Sequence, residues 1–167
     1  MTRQALEVQL AVERTSADAL TVEARLRNRG AGHHFPTYMV PKVTLIFSLR
    51  NLDSGERRVF QRYVIGWQVN VALTEEQFDN RIPAGDSRRL NYPVKLPTPD
   101  AAWAVDLAIE VVPREHYERT FKASLKHADR LPEATLATLR QALREAEATH
   151  YSLQSLSRPV PSWPIAN

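Results

Sequence analysis

The sequence predicts a mainly β fold: an Ig-like antiparallel β-sandwich followed by two C-terminal α-helices. Two observations predict the sandwich, namely short segments in which apolar and polar residues alternate and the polar or glycine-containing turns between them. A third observation predicts the helices, because the apolar spacing changes from two to three and four after Pro113. Strands that precede a pair of helices are typical of a single sandwich with helices added at its end.

Six segments carry the strand pattern. The first two alternate over residues 6–12 and 20–26, and the short polar turn between them predicts an antiparallel hairpin or two neighbours across the sandwich. The other four segments are residues 43–49, 58–65, 87–94 and 105–111. The last is the clearest, because Val105, Leu107, Ile109 and Val111 alternate with polar or small residues.

The two predicted helices follow this last strand. Tyr117, Phe121 and Leu125 recur four residues apart after Pro113, and Pro132 begins a second segment. The apolar stripe of that second segment is Leu136, Leu139, Leu143 and Ala146. We therefore divide the chain into a β-sandwich domain at 1–112, a helical appendage packed on it at 113–157, and an extended Pro-rich tail at 158–167.

Composition narrows the classes of function. The chain has 167 residues, with 22 Lys plus Arg against 19 Asp plus Glu, and the resulting net charge of +3 is too small and dispersed for a nucleic-acid-binding surface. No apolar run approaches the roughly 20 residues of a membrane span, and the first ten residues contain no apolar signal core. The absence of cysteine excludes thiolate metal ligands and covalent haem attachment through C-x-x-C-H in this chain.

One connection between strands differs from the others. Only five glycines occur in the chain, and two of them follow the second strand closely. Glycine allows backbone conformations that other residues resist, and proline restricts both itself and the residue before it. We therefore predict a specifically shaped loop that displays His33 and His34 at one end of the sandwich, where binding loops commonly lie. Its shape is assigned to Asn28, Gly30, Gly32, Phe35, Pro36 and Thr37.

The two loop histidines are the candidate ligands for a cofactor or a metal ion. Imidazole is a common metal ligand and can also bind a haem iron that another domain holds. If the loop is extended, neighbouring side chains point to opposite sides, so His33 and His34 do not easily chelate one ion. In the alternative interpretation His33 has a structural role and hydrogen-bonds the backbone of its own loop. Both interpretations stay open at this point.

Other candidate chemistry has less support. Three histidines lie in the helical part without H-x-x-x-H spacing: His116, His127 and His150. Three carboxylates lie between predicted strands and fit a solvated loop better than a catalytic pair: Glu75, Glu76 and Asp79. The sequence contains no G-x-S-x-G motif and no phosphate-binding loop. We therefore assign no catalytic residue and favour a binding module over an enzyme.

The sequence of the loop is also similar to a segment of a known protein family. The string Asn28-x-Gly-Ala-Gly-His33-x-Phe-Pro-Thr37 resembles a segment in the C-terminal, non-haem, β-rich part of bacterial multihaem c-type cytochromes. The later order is similar too: a strand that ends near Val112, a helix with Tyr117 and Phe121, a helix begun by Leu-Pro, and then Tyr-Ser-Leu at 151–153. This chain lacks the C-x-x-C-H haem sites of that family, and Tyr38 stands where many relatives have glycine.

The resemblance implies a non-catalytic accessory or interaction domain of a multihaem cytochrome c-like electron-transfer system. It implies that His33, in the motif position, faces a haem-bearing domain or a partner cytochrome, and that the protein is periplasmic. No haem is then bound covalently by this chain, and any haem contact is made in trans. The alternatives are a free-standing copper or zinc domain that uses His33 or His34, and an enzyme with a loop-borne site. The oligomeric state stays open.

Overall fold

A computed structural model describes residues 5–163 of the chain. Within them lie nine strands, two α-helices and one short 3₁₀ helix at Ala128–Arg130. The strands are β1 Leu6–Arg14, β2 Ala19–Asn28, β3 Lys42–Asn51, β4 Arg57–Ile65, β5 Trp67–Val69, β6 Glu76–Asp79, β7 Ser87–Lys95, β8 Trp103–Val112 and β9 Tyr151–Pro159. The helices are α1 Glu115–Leu125 and α2 Glu133–Glu147.

Two antiparallel sheets enclose the core. One has the strand order β1-β2-β7 and the other the order β4-β3-β8-β9, while β5 and β6 form a separate small hairpin. The alternation read from the sequence explains the core, because one side chain in two along β2, β3 and β8 is fully buried. The predicted fold class, mainly β with antiparallel sheets and two helices near the C-terminus, is confirmed.

Two features differ from the sequence prediction. The hairpin β5–β6 lies where we expected a solvated loop, and its strands of three and four residues are too short to show alternation. The strand β9 lies in the range assigned to the appendage and the tail, and it pairs antiparallel with β8 at the edge of the larger sheet. Most of β9 is polar and exposed, so its pairing is set by β8 and not by its own pattern. The last residues of the predicted tail, 164–167, lie outside the described residues.

One end of the sandwich gathers three segments. The connection 29–41 joins β2 to β3, and its Val40 carbonyl oxygen accepts a hydrogen bond of 3.3 Å from the backbone N–H of His116 in α1. Phe35 pairs with Ile82, in the connection that follows β6, through two backbone hydrogen bonds of 2.8 and 2.9 Å. The loop 29–41, the β5–β6 hairpin and the start of α1 therefore lie together.

The helices leave the sandwich at this end and pack against each other. The buried residues of α1 are His116 and Glu118, whereas Tyr117 of the predicted apolar stripe is 49% exposed. The buried side chains of α2 are Leu136 and Ala146, both of which belong to its predicted stripe. None of the helices between residues 5 and 163 combines the length and the apolar character of a membrane span.

Candidate functional site

A buried asparagine holds the shape of the histidine-bearing loop. Asn28 is the last residue of β2 and is fully buried. Its Nδ2 donates to the carbonyl oxygens of His33 at 2.6 Å and Ile82 at 3.0 Å, and its Oδ1 accepts from the backbone N–H of Ala31 at 3.3 Å. Buried polar groups need hydrogen-bond partners. The Asn28 amide finds two of them in the loop itself and one in the connection that follows β6, so it ties the two segments together.

The residues on both sides of the two histidines are also held in place. Gly32 has φ +64°, in the left-handed region that favours glycine, and Gly30 is exposed. Phe35 and Pro36 are buried and are joined by a cis peptide bond. Thr37 is exposed, and its carbonyl oxygen accepts a 2.9 Å hydrogen bond from Arg81 Nη1. The loop is therefore attached to the scaffold before and after His33 and His34.

His33 uses one ring nitrogen for its own loop. Its side chain is exposed, and Nδ1 lies 2.8 Å from the carbonyl oxygen of His34. A carbonyl oxygen only accepts, so Nδ1 carries the proton and, in the neutral ring, Nε2 has a free lone pair. Within residues 5–163, Nε2 makes no hydrogen bond. A backbone carbonyl that orients the second ring nitrogen is the usual support of a ligating histidine.

His34 has different surroundings. It is exposed and lies near the ion pair of Asp79 and Arg81, whose atoms Oδ2 and Nη2 are 2.6 Å apart. Hydrogen bonds from Arg81 lower the pKa of the Asp79 carboxyl, and the charge of His34 adds a smaller effect in the same direction. The Arg81 guanidinium in turn lies 4.7 Å from the centre of the Trp67 ring. His34 therefore lies within electrostatic range of a charged cluster that belongs to the scaffold.

Two of the remaining candidates of the sequence analysis have side-chain partners, and a third is exposed. His150 Nε2 lies 2.6 Å from Glu118 Oε1, His127 is exposed beside the 3₁₀ helix, and Glu76 accepts a hydrogen bond from Trp67 Nε1. In the part of the chain that the structure describes, no three His, Asp or Glu side chains form a group that could hold a metal ion. The site thus consists of single imidazoles on a fixed loop.

A buried cation supports the end of the loop. Lys42, at the start of β3, is 2% exposed, and its Nζ donates to the carbonyl oxygens of Met39 at 2.8 Å and Trp67 at 2.9 Å. Nζ also lies 3.5 Å from Glu115 Oε2, while Glu115 Oε1 lies 2.7 Å from Arg119 Nε. Burial lowers the pKa of the Lys42 ammonium, and the charge of Glu115 opposes this. One ammonium group therefore joins the loop, the hairpin and α1.

This ion network was not predicted from the sequence. Two signals were present: a lysine at the start of an otherwise apolar strand, and Gly66 between β4 and β5. A Cβ atom at position 66 would overlap Lys42 Cδ, so glycine at this position leaves room for the lysine stem. The partner Glu115 lies 73 residues further along the chain, beyond the reach of any local pattern.

His116 gives this network a pH dependence. The residue is buried, and its burial, followed by the charge of Arg119, lowers the pKa of the imidazole below the usual 6.5, with Glu115 acting in the opposite direction. The folded protein therefore binds a proton at His116 less readily than the unfolded chain does. Stability from this group is fully present above pH about 6.5 and is lost as the pH falls towards the lowered pKa.

We predict that His116→Gln flattens the pH dependence of the free energy of unfolding between about pH 7 and pH 5. Urea denaturation at several pH values, for the variant and the natural chain side by side, measures this slope. Parallel curves for the two proteins would contradict the assignment.

The fold and the site define a β-sandwich domain with a histidine-bearing loop at one end. No protein-family model matches the chain, and no curated protein matches it either. Among solved structures, the chain is similar to a penta-haem cytochrome c552 from Thermochromatium tepidum, with 13% identity and a TM-score of 0.62 over 95% of this chain. The chain spans 40% of the length of that cytochrome.

Two further structures are more distant. A Bordetella pertussis protein assigned as ApaA has 12% identity and a TM-score of 0.42, over 64% of this chain and 78% of its own. The structural-genomics target SoR45 has 10% identity and a TM-score of 0.42, over 98% of this chain and 92% of its own. The likeness to the cytochrome shows the fold alone, and a cytochrome-related fold agrees with the resemblance noted in the sequence.

Proposed function

We propose that this chain is a non-catalytic interaction domain that docks onto a haem-bearing partner in a multihaem, periplasmic electron-transfer system. The observation that carries the proposal is the fold likeness to part of a penta-haem cytochrome over 95% of this chain. Because the chain has no cysteine, it cannot attach a c-type haem covalently. In this proposal a covalently attached haem belongs to a second domain or a second protein.

In this proposal the loop 28–37 faces the partner and His33 is the contact residue. The free Nε2 of His33 is a single, oriented ligand on a fixed loop. A single imidazole suits an open axial position of a haem iron, whose remaining ligands come from the porphyrin and the partner. A free-standing zinc or copper site needs three or four protein ligands, so the same geometry gives less support to the copper or zinc alternative.

The test uses a protein with several C-x-x-C-H motifs that is encoded beside this chain or in the same reading frame. We expect isothermal titration calorimetry to detect binding, and His33→Ala to weaken it at least about tenfold, which is ~1.4 kcal/mol. If His33 ligates the iron, the natural chain also converts the absorption spectrum of the open ferric haem from high spin to low spin.

His34→Ala is the matched control, because His34 is also exposed and adjacent in the chain but lies outside the motif position that His33 occupies. We expect its affinity to stay within about twofold of the natural value. Binding that His33→Ala leaves unchanged would remove His33 from the interface. No binding of any encoded C-x-x-C-H protein would overturn the proposed function itself.

A further inference from the structure

Helix α1 turns its polar side inward and leaves part of its apolar side uncovered. His116 and Glu118 are 6% and 5% exposed, whereas Tyr117 between them is 49% exposed. Polar contacts fix this rotation, because Glu115 reaches the buried ammonium of Lys42 and Glu118 Oε1 lies 2.6 Å from His150 Nε2. The helix cannot turn Tyr117 inward without breaking these contacts.

An apolar groove of about 360 Å³ lies between the exposed sides of α1 and α2. Tyr117, Phe121 and Ala142 line it, and the two charged residues Arg114 and Glu145 flank it. A large exposed aromatic side chain beside an open groove on a helix pair is a feature of interaction surfaces. Nothing between residues 5 and 163 fills this groove.

The two charged residues beside the groove lack partners of opposite charge. Arg114 is exposed, and its guanidinium makes no ion pair or hydrogen bond with any residue that the structure describes. Glu145 accepts a 2.7 Å hydrogen bond from Gln141 but pairs with no cation among the described residues. By contrast, Lys122 nearby pairs with Glu147 at 2.8 Å. The groove thus combines an apolar floor with one unpaired cation and one unpaired anion.

We propose that a second copy of this chain occupies the groove, so that two α1–α2 pairs form a four-helix interface. In a two-fold symmetric interface each patch faces itself, so Arg114 of one copy meets Glu145 of the other, and the reverse contact forms as well. A patch with one cation and one anion is complementary to itself, whereas a patch of one sign would need a different partner. Tyr117 and Phe121 of both copies then fill the centre.

The size of the surface sets the strength of this dimer. A helix of 15 residues is about 22 Å long, and two packed helices are about 20 Å wide. This face is smaller than the roughly 800 Å² per partner of a stable complex. The dimer is therefore weak and depends on concentration, and it forms independently of the proposed haem partner.

Sedimentation equilibrium between about 1 µM and 1 mM of the full chain tests the proposal. The average mass should rise from the 19.0 kDa of one chain towards twice that value. We expect Arg114→Glu and Glu145→Arg, each alone, to weaken dimerisation at least about tenfold, because each places like charges opposite each other. The double variant Arg114→Glu/Glu145→Arg should restore it, since the swapped charges pair again across the interface.

Thermal unfolding by circular dichroism is the folding control, and we expect it to be unchanged because both side chains are exposed and make no ion pair within the described chain. A natural chain that stays at 19.0 kDa throughout would overturn the proposal. Dimerisation that the single charge reversals leave unchanged would also overturn the proposal, because the contact would then lie elsewhere. Failure of the double variant to restore dimerisation would overturn it for the same reason.

Discussion

Replacing Lys42 with methionine will destabilise the fold by about 3 kcal/mol. Methionine has a similar length, but it cannot donate to the carbonyl oxygens of Met39 and Trp67 or compensate the charge of Glu115. Because Lys42 is only 2% exposed, water cannot replace the missing ammonium group without a change of packing. Urea denaturation followed by circular dichroism measures the loss.

Lys95→Met provides the matched control on another strand. Lys95 is 82% exposed in its side chain and lies 3.7 Å from Asp18, which is a surface ion pair. We expect its replacement to change stability by no more than about 0.5 kcal/mol. In the double variant Lys42→Met/Glu115→Gln a neutral amide replaces the unpaired carboxylate, so part of the stability should return. Equal effects of Lys42→Met and Lys95→Met would contradict the buried network.

Asn28→Asp will destabilise the fold by about 2–4 kcal/mol at pH 7 and will weaken partner binding. Aspartate has the same shape, but its ionised carboxylate cannot donate the two hydrogen bonds that Asn28 Nδ2 gives to His33 and Ile82. Two carbonyl oxygens, at 2.6 and 3.0 Å from that position, then face an anion. Burial beside two carbonyl oxygens raises the pKa of this aspartate, and protonation restores one donor. The deficit should therefore shrink as the pH falls from 7 to about 4, below which the unfolded chain is protonated as well and the deficit stays constant.

Asn51→Asp is the same chemical change at a position where the side-chain oxygen accepts hydrogen bonds. Asn51 Oδ1 accepts hydrogen bonds of 2.9 Å from the backbone N–H groups of both Asp53 and Ser54. A carboxylate accepts these bonds as well as an amide does, so we expect a change within about 0.5 kcal/mol. If both asparagine variants lost the same stability, the anchoring role of Asn28 would be refuted.

The predictable part of the fold follows from local alternation. In β8 the apolar residues from Val105 to Val111 alternate because one face of the strand is buried, and this pattern is visible in the sequence itself. In β9 only Leu153 is buried, so its strand character comes from pairing with β8, 40 or more residues away. A contact of that kind leaves no periodic signal in the segment that makes it.

The candidate site was also predictable only in part. The glycines, the proline and the two histidines within 28–37 predicted a specifically shaped loop, and Gly32 does adopt a positive φ. The second partner of Asn28 is Ile82, 54 residues away, and the tautomer of His33 depends on the direction of one carbonyl group. Such details follow from tertiary packing. The same holds for the rotation of α1, which ionic contacts determine against its apolar stripe.

In the proposed complex the loop carrying His33 meets the haem of a partner. A titration of the ¹⁵N-labelled chain with the oxidised multi-C-x-x-C-H protein of the binding test examines this contact, because a paramagnetic haem broadens the amide signals nearest to it. We expect the signals of residues 29–38 to disappear first, while those of residues 96–102 at the opposite end of the sandwich persist. Broadening that begins at 96–102, or spectra that do not change, would contradict it.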